Sequence, residues 1–96
     1  MNKGYWIVRV DITDKDGFLR YVKENPKALE KYGAVFLARA GKFEVPEGTT
    51  RSRNTIVEFP SYQAALDCWN SKEYQKAKSY RENAAEIDIV IVEGCN

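Results

Sequence analysis

The stretch that decides the fold is residues 55–81, TIVEFPSYQAALDCWNSKEYQKAKSYR. Its first five residues, Thr55 to Phe59, are β-branched or aromatic apart from one glutamate, and this composition predicts a strand. Pro60 cannot donate a ladder hydrogen bond and ends the strand, and Ser61 is placed to cap a helix. Apolar residues at helical spacing follow until Asn70-Ser71 interrupts them. The stretch therefore predicts one strand followed by a helix in two parts.

The remainder of the chain predicts three more strands and one more helix. The strands are expected at residues 5–10, 34–40 and 87–92, and the last is the most hydrophobic, which is typical of a well-buried strand. A helix is expected from about residue 15 to residue 32, and Pro26 should kink or split it. Residues 41–54 contain Pro46, two glycines and several charges, and they predict a long hairpin excursion.

The element order is therefore β-α-β-β-α-β, which predicts an α+β fold of the ferredoxin-like type. In this fold a four-stranded antiparallel sheet carries two helices on one face. No linker or low-complexity segment divides the chain, so residues 1–96 are expected to form a single domain.

Composition excludes several classes of function. The chain has no histidine, which removes histidine-based nucleophilic catalysis and His-liganded metals, and no residue pattern indicates a metal or a cofactor. The formal net charge is +1, so no strong field would attract nucleic acid or anionic lipid. No apolar stretch is long enough to span a membrane. Cys68 and Cys95 lack metal-ligand spacing and are expected to be free thiols, so the cytoplasm is the expected location.

The second face of the predicted sheet is too apolar to be left in water. Its expected residues are Tyr5, Ile7, Arg9, Val35, Leu37, Arg39, Ile56 and Glu58. Packing two such faces together would produce a homodimer whose sheets form a barrel. Arg9, Glu58 and Arg39 would then meet across strands, either as an interface ion network or as an anion site.

Four segments resemble a known bacterial family, the domain of unknown function 1330. They are KGYWIVRVDITD (3–14), YGAVFLARAGKFEVPEG (32–48), the run from Arg51 to Arg81, and DIVIVEG (88–94). The resemblance implies the dimeric α/β-barrel form of the ferredoxin-like fold and no established reaction. The usual glycine pair after the second strand is Ala40-Gly41 here, so this turn has one glycine in place of two.

The candidate ligand-binding residues combine cations, aromatic rings and one carboxylate. Arg39, Trp69, Tyr74 and Arg81 match positions typical of the family, and Arg53 and Glu44 of the hairpin region join them. Guanidinium groups match planar oxyanions, and aromatic rings could form the wall for a small planar ligand. Several of these residues also have a purely structural interpretation: Trp69 and Tyr74 as core, Arg81 as a partner of helix carbonyls, and Arg53, like Arg51, as a loop charge.

Two functions follow as hypotheses. The first is a homodimeric small-molecule-binding module without established catalysis. The alternative is a cofactor-independent enzyme, similar to a monooxygenase or an isomerase, that acts on a small aromatic or enolisable substrate. Arg39 or Arg81 would then stabilise the anion and Tyr74 would orient it. A purely structural dimer is a third possibility, and whether the protein is an enzyme stays open at this point.

Overall fold

The computed structural model describes residues 2–95, which form four strands and three helices. The strands are β1 (Gly4–Ile12), β2 (Val35–Arg39), β3 (Arg53–Phe59) and β4 (Ala85–Glu93). The helices are α1 (Lys15–Lys31), α2 (Tyr62–Asn70) and α3 (Lys72–Ser79). The strands form one antiparallel sheet in the order β2-β3-β1-β4, and helices cover one of its faces. The α+β class is confirmed, with a third helix added by the division between α2 and α3.

Two serines cap the two parts of the second helical region. The Ser61 hydroxyl accepts a hydrogen bond from the Ala64 amide at 3.0 Å, and the Ser71 hydroxyl accepts one from the Tyr74 amide at 3.1 Å. Both serines have extended backbone angles, as N-cap residues do. The predicted two-part helix is confirmed. By contrast, α1 is not split: it runs as one helix through Pro26.

An aromatic cluster centred on Trp6 joins the sheet to α2 and α3. The Trp6 ring lies 5.0 Å from the Phe59 ring and 4.9 Å from the Tyr74 ring, measured between centroids. Its indole N–H donates to the Ala65 carbonyl at 3.0 Å. Trp6 is only 2% exposed, so its single polar atom is satisfied inside the core. Because α2 and α3 are held to the sheet here, the position of Tyr74 is determined by packing.

A β-bulge changes the facing of Arg39. Phe36 pairs with Val57 and Ala38 pairs with Ile56, so one extra residue, Leu37, is inserted in β2. Since a one-residue insertion reverses which face each later side chain occupies, Arg39 pairs with Thr55 on the helix-covered face. The prediction that Arg39 lies on the open face is therefore wrong.

The proposed meeting of Arg9, Glu58 and Arg39 is also wrong. Glu58 lies opposite Tyr5, whereas Arg9 lies four residues further along β1, opposite Asn54. Four residues of strand span about 13 Å. Glu58 instead binds Lys3, whose Nζ lies 3.0 Å from its Oε1.

The strand at residues 87–92 is an edge strand rather than a well-buried one. β4 pairs with β1 alone, and its burial alternates along its length. Val90 and Val92 are 56% and 40% exposed on the uncovered face of the sheet. Across the sheet, Val90 pairs with Ile7, which pairs in turn with Ile56. The uncovered face therefore carries a continuous apolar band, and we call it the open face.

Residues 41–50 form an exposed loop without regular structure, anchored by Arg51. The Arg51 guanidinium binds carboxylates of both β1 and β4: Asp88 at 2.8 Å, and Asp11 and Glu86 at 3.0 Å each. The backbone amide of Ser52 donates to the same Asp11 carboxylate at 2.8 Å. Arg51 therefore holds the end of the loop against the sheet through ion pairs, and the interpretation of Arg51 as an ordinary loop charge is wrong.

Candidate functional site

The candidate site is a cleft between α1 and the helix-covered face of the sheet. α2 packs directly on β1, β3 and β4, whereas the main neighbour of α1 is α3. A cavity of about 70 Å³ remains between α1 and the strands, within a space of about 600 Å³ that includes its mouth. Its walls are mostly apolar; they comprise Trp6, Val8, Val10, Phe18, Tyr21, Val22, Asn25, Leu29, Phe36, Arg39, Arg53, Thr55, Val57 and Ile87.

Two arginines lie at the exposed mouth of this cleft. Arg39 pairs with Thr55 on β3, and Arg53 pairs with Val10 on β1, so both project from the same end and the same face of the sheet. The Arg39 guanidinium carbon lies 4.2 Å from the centroid of the Phe36 ring, a cation–π contact that orients it. The ion pairs among the described residues use Lys3, Lys27, Lys31 and Arg51 and neither mouth arginine.

Behind the cleft, three side chains form a buried polar chain. The Tyr21 and Tyr74 hydroxyl oxygens lie 2.7 Å apart, and Arg81 donates from Nη2 to the Tyr74 hydroxyl at 3.3 Å. The guanidinium carbon of Arg81 also lies 5.1 Å from the centroid of the Tyr21 ring. We call Arg81, Tyr74 and Tyr21 the tyrosine relay. It connects a partly buried cation to Tyr21, which lines the cleft.

Burial controls the ionisation of Tyr74. Its side chain is fully buried, and desolvation raises the pKa of the phenol well above its ordinary value, with a smaller opposing effect from Arg81. A phenol with a raised pKa stays neutral at physiological pH and acts as a hydrogen-bonding group rather than as a base. Two polar atoms in the region, Asn25 Oδ1 and Arg81 Nε, are buried without a hydrogen-bond partner within residues 2–95.

The structure thus divides the six candidate residues among four places. Arg39 and Arg53 meet at the mouth of the cleft, and Tyr74 and Arg81 meet in the relay. Trp69 packs against Tyr74 with ring centroids 5.3 Å apart, outside the lining of the cleft. Glu44 lies in the exposed loop, in a shallow depression that it shares with Arg9 and Asn54 at the open face. Glu44 is therefore not brought together with the other five.

Sequence reasoning missed Tyr21 and Asn25, both of which line the cleft. They lie four residues apart on α1, so their side chains share one side of the helix. Asn25 falls at helical spacing between Val22 and Leu29, inside the apolar stripe of α1. A polar residue within an apolar helical stripe was the sequence pattern from which Asn25 could have been identified.

Within residues 2–95, no group of three or more His, Cys, Asp and Glu side chains is arranged to hold a metal ion. No helix in that range has the length and apolar character needed to cross a membrane.

Several solved structures are similar to this chain. A protein of unknown function from Rhodopseudomonas palustris is 16% identical, with a TM-score of 0.77 over 99% of this chain and 84% of that one. SnoaB, a cofactor-independent oxygenase from Streptomyces nogalater, is 5% identical, with a TM-score of 0.65 over 100% and 96%. A dimeric protein of unknown function and ferredoxin-like fold from Bacteroides fragilis is 17% identical, with a TM-score of 0.55 over 96% of each chain. At these identities the similarity establishes the fold alone.

One protein-family model matches almost the whole chain. The family model described as "Domain of unknown function (DUF1330)" matches residues 3–95. No curated protein sequence matches the chain significantly.

Proposed function

The chain belongs to this family of unknown function, and we propose that it is a homodimeric module that binds a small molecule in the cleft between α1 and the sheet. The ligand has an apolar, ring-sized body and an anionic end. It lies with its body against the apolar walls and its anionic group at Arg39 and Arg53. Its setting is the bacterial cytoplasm, which the two free thiols of Cys68 and Cys95 support.

The observation that carries this proposal is the pair of arginines at the mouth of an apolar cleft. A guanidinium presents several donors in a planar fork, which matches a carboxylate or an enolate. Among residues 2–95, no acidic side chain lines the cleft to neutralise these cations. An apolar cavity with a few polar groups at defined positions is the usual form of a small-molecule site.

Binding is favoured over catalysis by the chemistry of the lining residues. The lining contains cations, one phenol, one amide and one threonine hydroxyl, and no carboxylate that could act as a general base. The alternative is a cofactor-independent enzyme acting on an aromatic or enolisable substrate, for which the tyrosine relay is the favourable observation. The fold similarity to SnoaB, itself a cofactor-independent oxygenase, supports that alternative only by analogy.

The dimer part of the proposal rests on the open face. Five large apolar side chains there are between 38% and 56% exposed: Val35, Leu37, Ile56, Val90 and Val92. A monomer seldom leaves such a band in water, and a second copy of the same face would cover it. The ferredoxin-like neighbour from Bacteroides fragilis is described as dimeric, which agrees with this arrangement.

The ligand proposal is tested by calorimetric titration with 3-phenylpropionate, a single-ring carboxylate. Arg39→Ala and Arg53→Ala should each weaken binding at least about tenfold, because each removes a charge-assisted hydrogen bond to the carboxylate. Arg20→Ala is the matched control, since Arg20 is exposed on α1 and does not line the cleft. Equal affinities for the wild type and both mouth variants would refute the proposed role of the arginines.

The dimer is tested separately by sedimentation velocity. Val90→Lys places a charge in the middle of the open face and should produce monomers. Leu19→Lys is the control, because Leu19 is similarly exposed, at 50%, but lies on α1. A wild-type monomer at micromolar concentration, or a Val90→Lys dimer as stable as the control, would contradict the sheet-to-sheet arrangement.

A further inference from the structure

The inner wall of the cleft carries two polar groups on adjacent turns of α1, from Tyr21 and Asn25. Both residues line the cleft and both are more than nine-tenths buried, with exposures of 9% and 7%. The remaining lining contributed by α1 is apolar: Phe18, Val22 and Leu29. The Tyr21 hydroxyl has a partner in Tyr74, whereas Asn25 Oδ1 is buried without one among residues 2–95. Asn25 therefore needs an explanation, because burying a polar atom without a partner costs stability.

The tyrosine relay makes Tyr21 a donor toward the cleft. Arg81 donates to the Tyr74 oxygen, and a hydroxyl that accepts from a cation becomes a stronger donor itself. Either hydroxyl could donate across the 2.7 Å contact, and the donation from Arg81 favours Tyr74 as the donor and Tyr21 as the acceptor. Because a bond in that direction uses the Tyr74 hydrogen, the hydrogen of the Tyr21 hydroxyl remains available for an acceptor outside the relay.

Asn25 supplies the complementary acceptor. Its Oδ1 has no hydrogen-bond partner within the described part of the chain. Rotation of the amide about its Cβ–Cγ bond presents either Oδ1 or Nδ2 to the cleft, and no protein donor holds Oδ1 in place. A ligand donor would therefore satisfy an atom that the protein leaves unsatisfied.

We propose that the ligand carries a hydroxyl group, phenolic or enolic, that accepts a hydrogen bond from Tyr21 and donates one to Asn25. This inference rests on the proposed function and makes it more specific. The ligand is then a hydroxylated organic acid: its anionic end lies at Arg39 and Arg53, its apolar body lies against the strands, and its hydroxyl lies against α1. Asn25 is the residue that selects hydroxylated ligands over those without the group.

Three matched probes test the inference by calorimetric titration: 3-(4-hydroxyphenyl)propionate, 3-phenylpropionate and 3-(4-methoxyphenyl)propionate. The wild type should bind the hydroxylated probe about tenfold more tightly than the unsubstituted one, the effect expected of one to two neutral hydrogen bonds. The methoxy probe can accept but cannot donate, so it should not share this advantage. Asn25→Ala should reduce this preference severalfold, because the ligand hydroxyl then loses its acceptor and keeps only the hydrogen bond from Tyr21. Arg20→Ala, which changes an exposed residue outside the lining of the cleft, should leave the preference and both affinities unchanged.

The variants separate this inference from the proposed function. Arg39→Ala should weaken the hydroxylated and unsubstituted probes by the same factor, because it acts at the carboxylate end. Equal wild-type affinities for these two probes, with Arg39→Ala still weakening both, would overturn the role of Tyr21 and Asn25 and leave the proposed function standing. Failure of the wild type to bind any of the three probes would overturn both. Asn25→Ala introduces a good helix former and removes an unpaired acceptor, so it is expected to fold.

Discussion

Replacing Tyr74 by Phe tests whether the tyrosine relay holds the helices together. The substitution keeps the buried ring and removes only the hydroxyl, which bonds Tyr21 at 2.7 Å and Arg81 at 3.3 Å. The first of these hydrogen bonds is short and buried, and the second is long but has a charged donor, so each contributes about 1 kcal/mol. Arg81 Nε already lacks a partner among residues 2–95, so the arginine would lose one of its hydrogen bonds inside the protein. We expect the free energy of unfolding to fall by about 2 kcal/mol, and Tm by roughly 8–16 °C for a domain of this size.

The assay is urea unfolding followed by circular dichroism at one fixed protein concentration. Tyr62→Phe is the control, because Tyr62 is 37% exposed and its hydroxyl is not part of the relay.

The pH dependence of the free energy of unfolding gives a second test of the relay. The raised pKa of Tyr74 means that its contribution to stability is fully present below pH about 10 and is lost as pH rises toward the folded-state pKa. The stability advantage of the wild type over Tyr74→Phe should therefore shrink only above pH 10. A Tyr74→Phe protein as stable as the control at pH 7 would refute the reasoning.

Three further predictions concern other parts of the molecule. Arg51→Ala should lower the free energy of unfolding at pH 7, and its difference from the wild type should shrink as salt is added and as pH falls through the depressed pKa of Asp11. Unfolding measured at several pH values would contradict this if the difference stayed constant. A thiol reagent should react with the exposed Cys95 of the native protein and spare Cys68, because burial raises the pKa of the Cys68 thiol to about 12. Reaction of both thiols at the same rate would contradict this. Ala40→Gly should raise the free energy of unfolding by about 0.5 kcal/mol. Ala40 has a φ of 54°, where alanine is strained by about 1–2 kcal/mol, whereas glycine there costs only chain entropy. A lower Tm for the variant would count against this.

The order of elements was predictable from the sequence because it depends on local patterns. Pro60 and Ser61 end one strand and start one helix, and Ser71 divides the helical region, all through backbone hydrogen bonds that each residue makes or lacks. The alternation at residues 5–10 likewise assigns Trp6 to the core and Ile7 to the open face. These assignments need no knowledge of which strands pair.

The facing of Arg39 was not predictable in the same way. The bulge at Leu37 is a property of how β2 pairs with β3, and simple alternation along β2 assigns Arg39 to the wrong face. The same limit applies to β4. A run of apolar residues at 87–92 indicates burial, but only the strand order shows that β4 is an edge whose Val90 is exposed in a single chain.

The candidate site was partly predictable for a related reason. Arg39, Arg53, Tyr74 and Arg81 could be nominated by residue type, yet their division between the mouth of the cleft and the relay depends on tertiary packing. Glu44 was nominated on charge and lies at the opposite face. Asn25 was detectable only as a polar interruption of an apolar helical stripe, and that pattern alone does not reveal a cleft beside it.

We propose above that the cleft between α1 and the sheet holds a small ligand. The most direct test is a ¹H–¹⁵N correlation spectrum of the labelled protein, titrated with 3-(4-hydroxyphenyl)propionate. Binding in the cleft should produce saturable shifts at Tyr21, Asn25, Phe36 and Arg39, including the Asn25 side-chain amide, and should leave the open-face signal of Val90 unchanged. A spectrum without saturable shifts, or with shifts confined to the open face and the loop at 41–50, would contradict it.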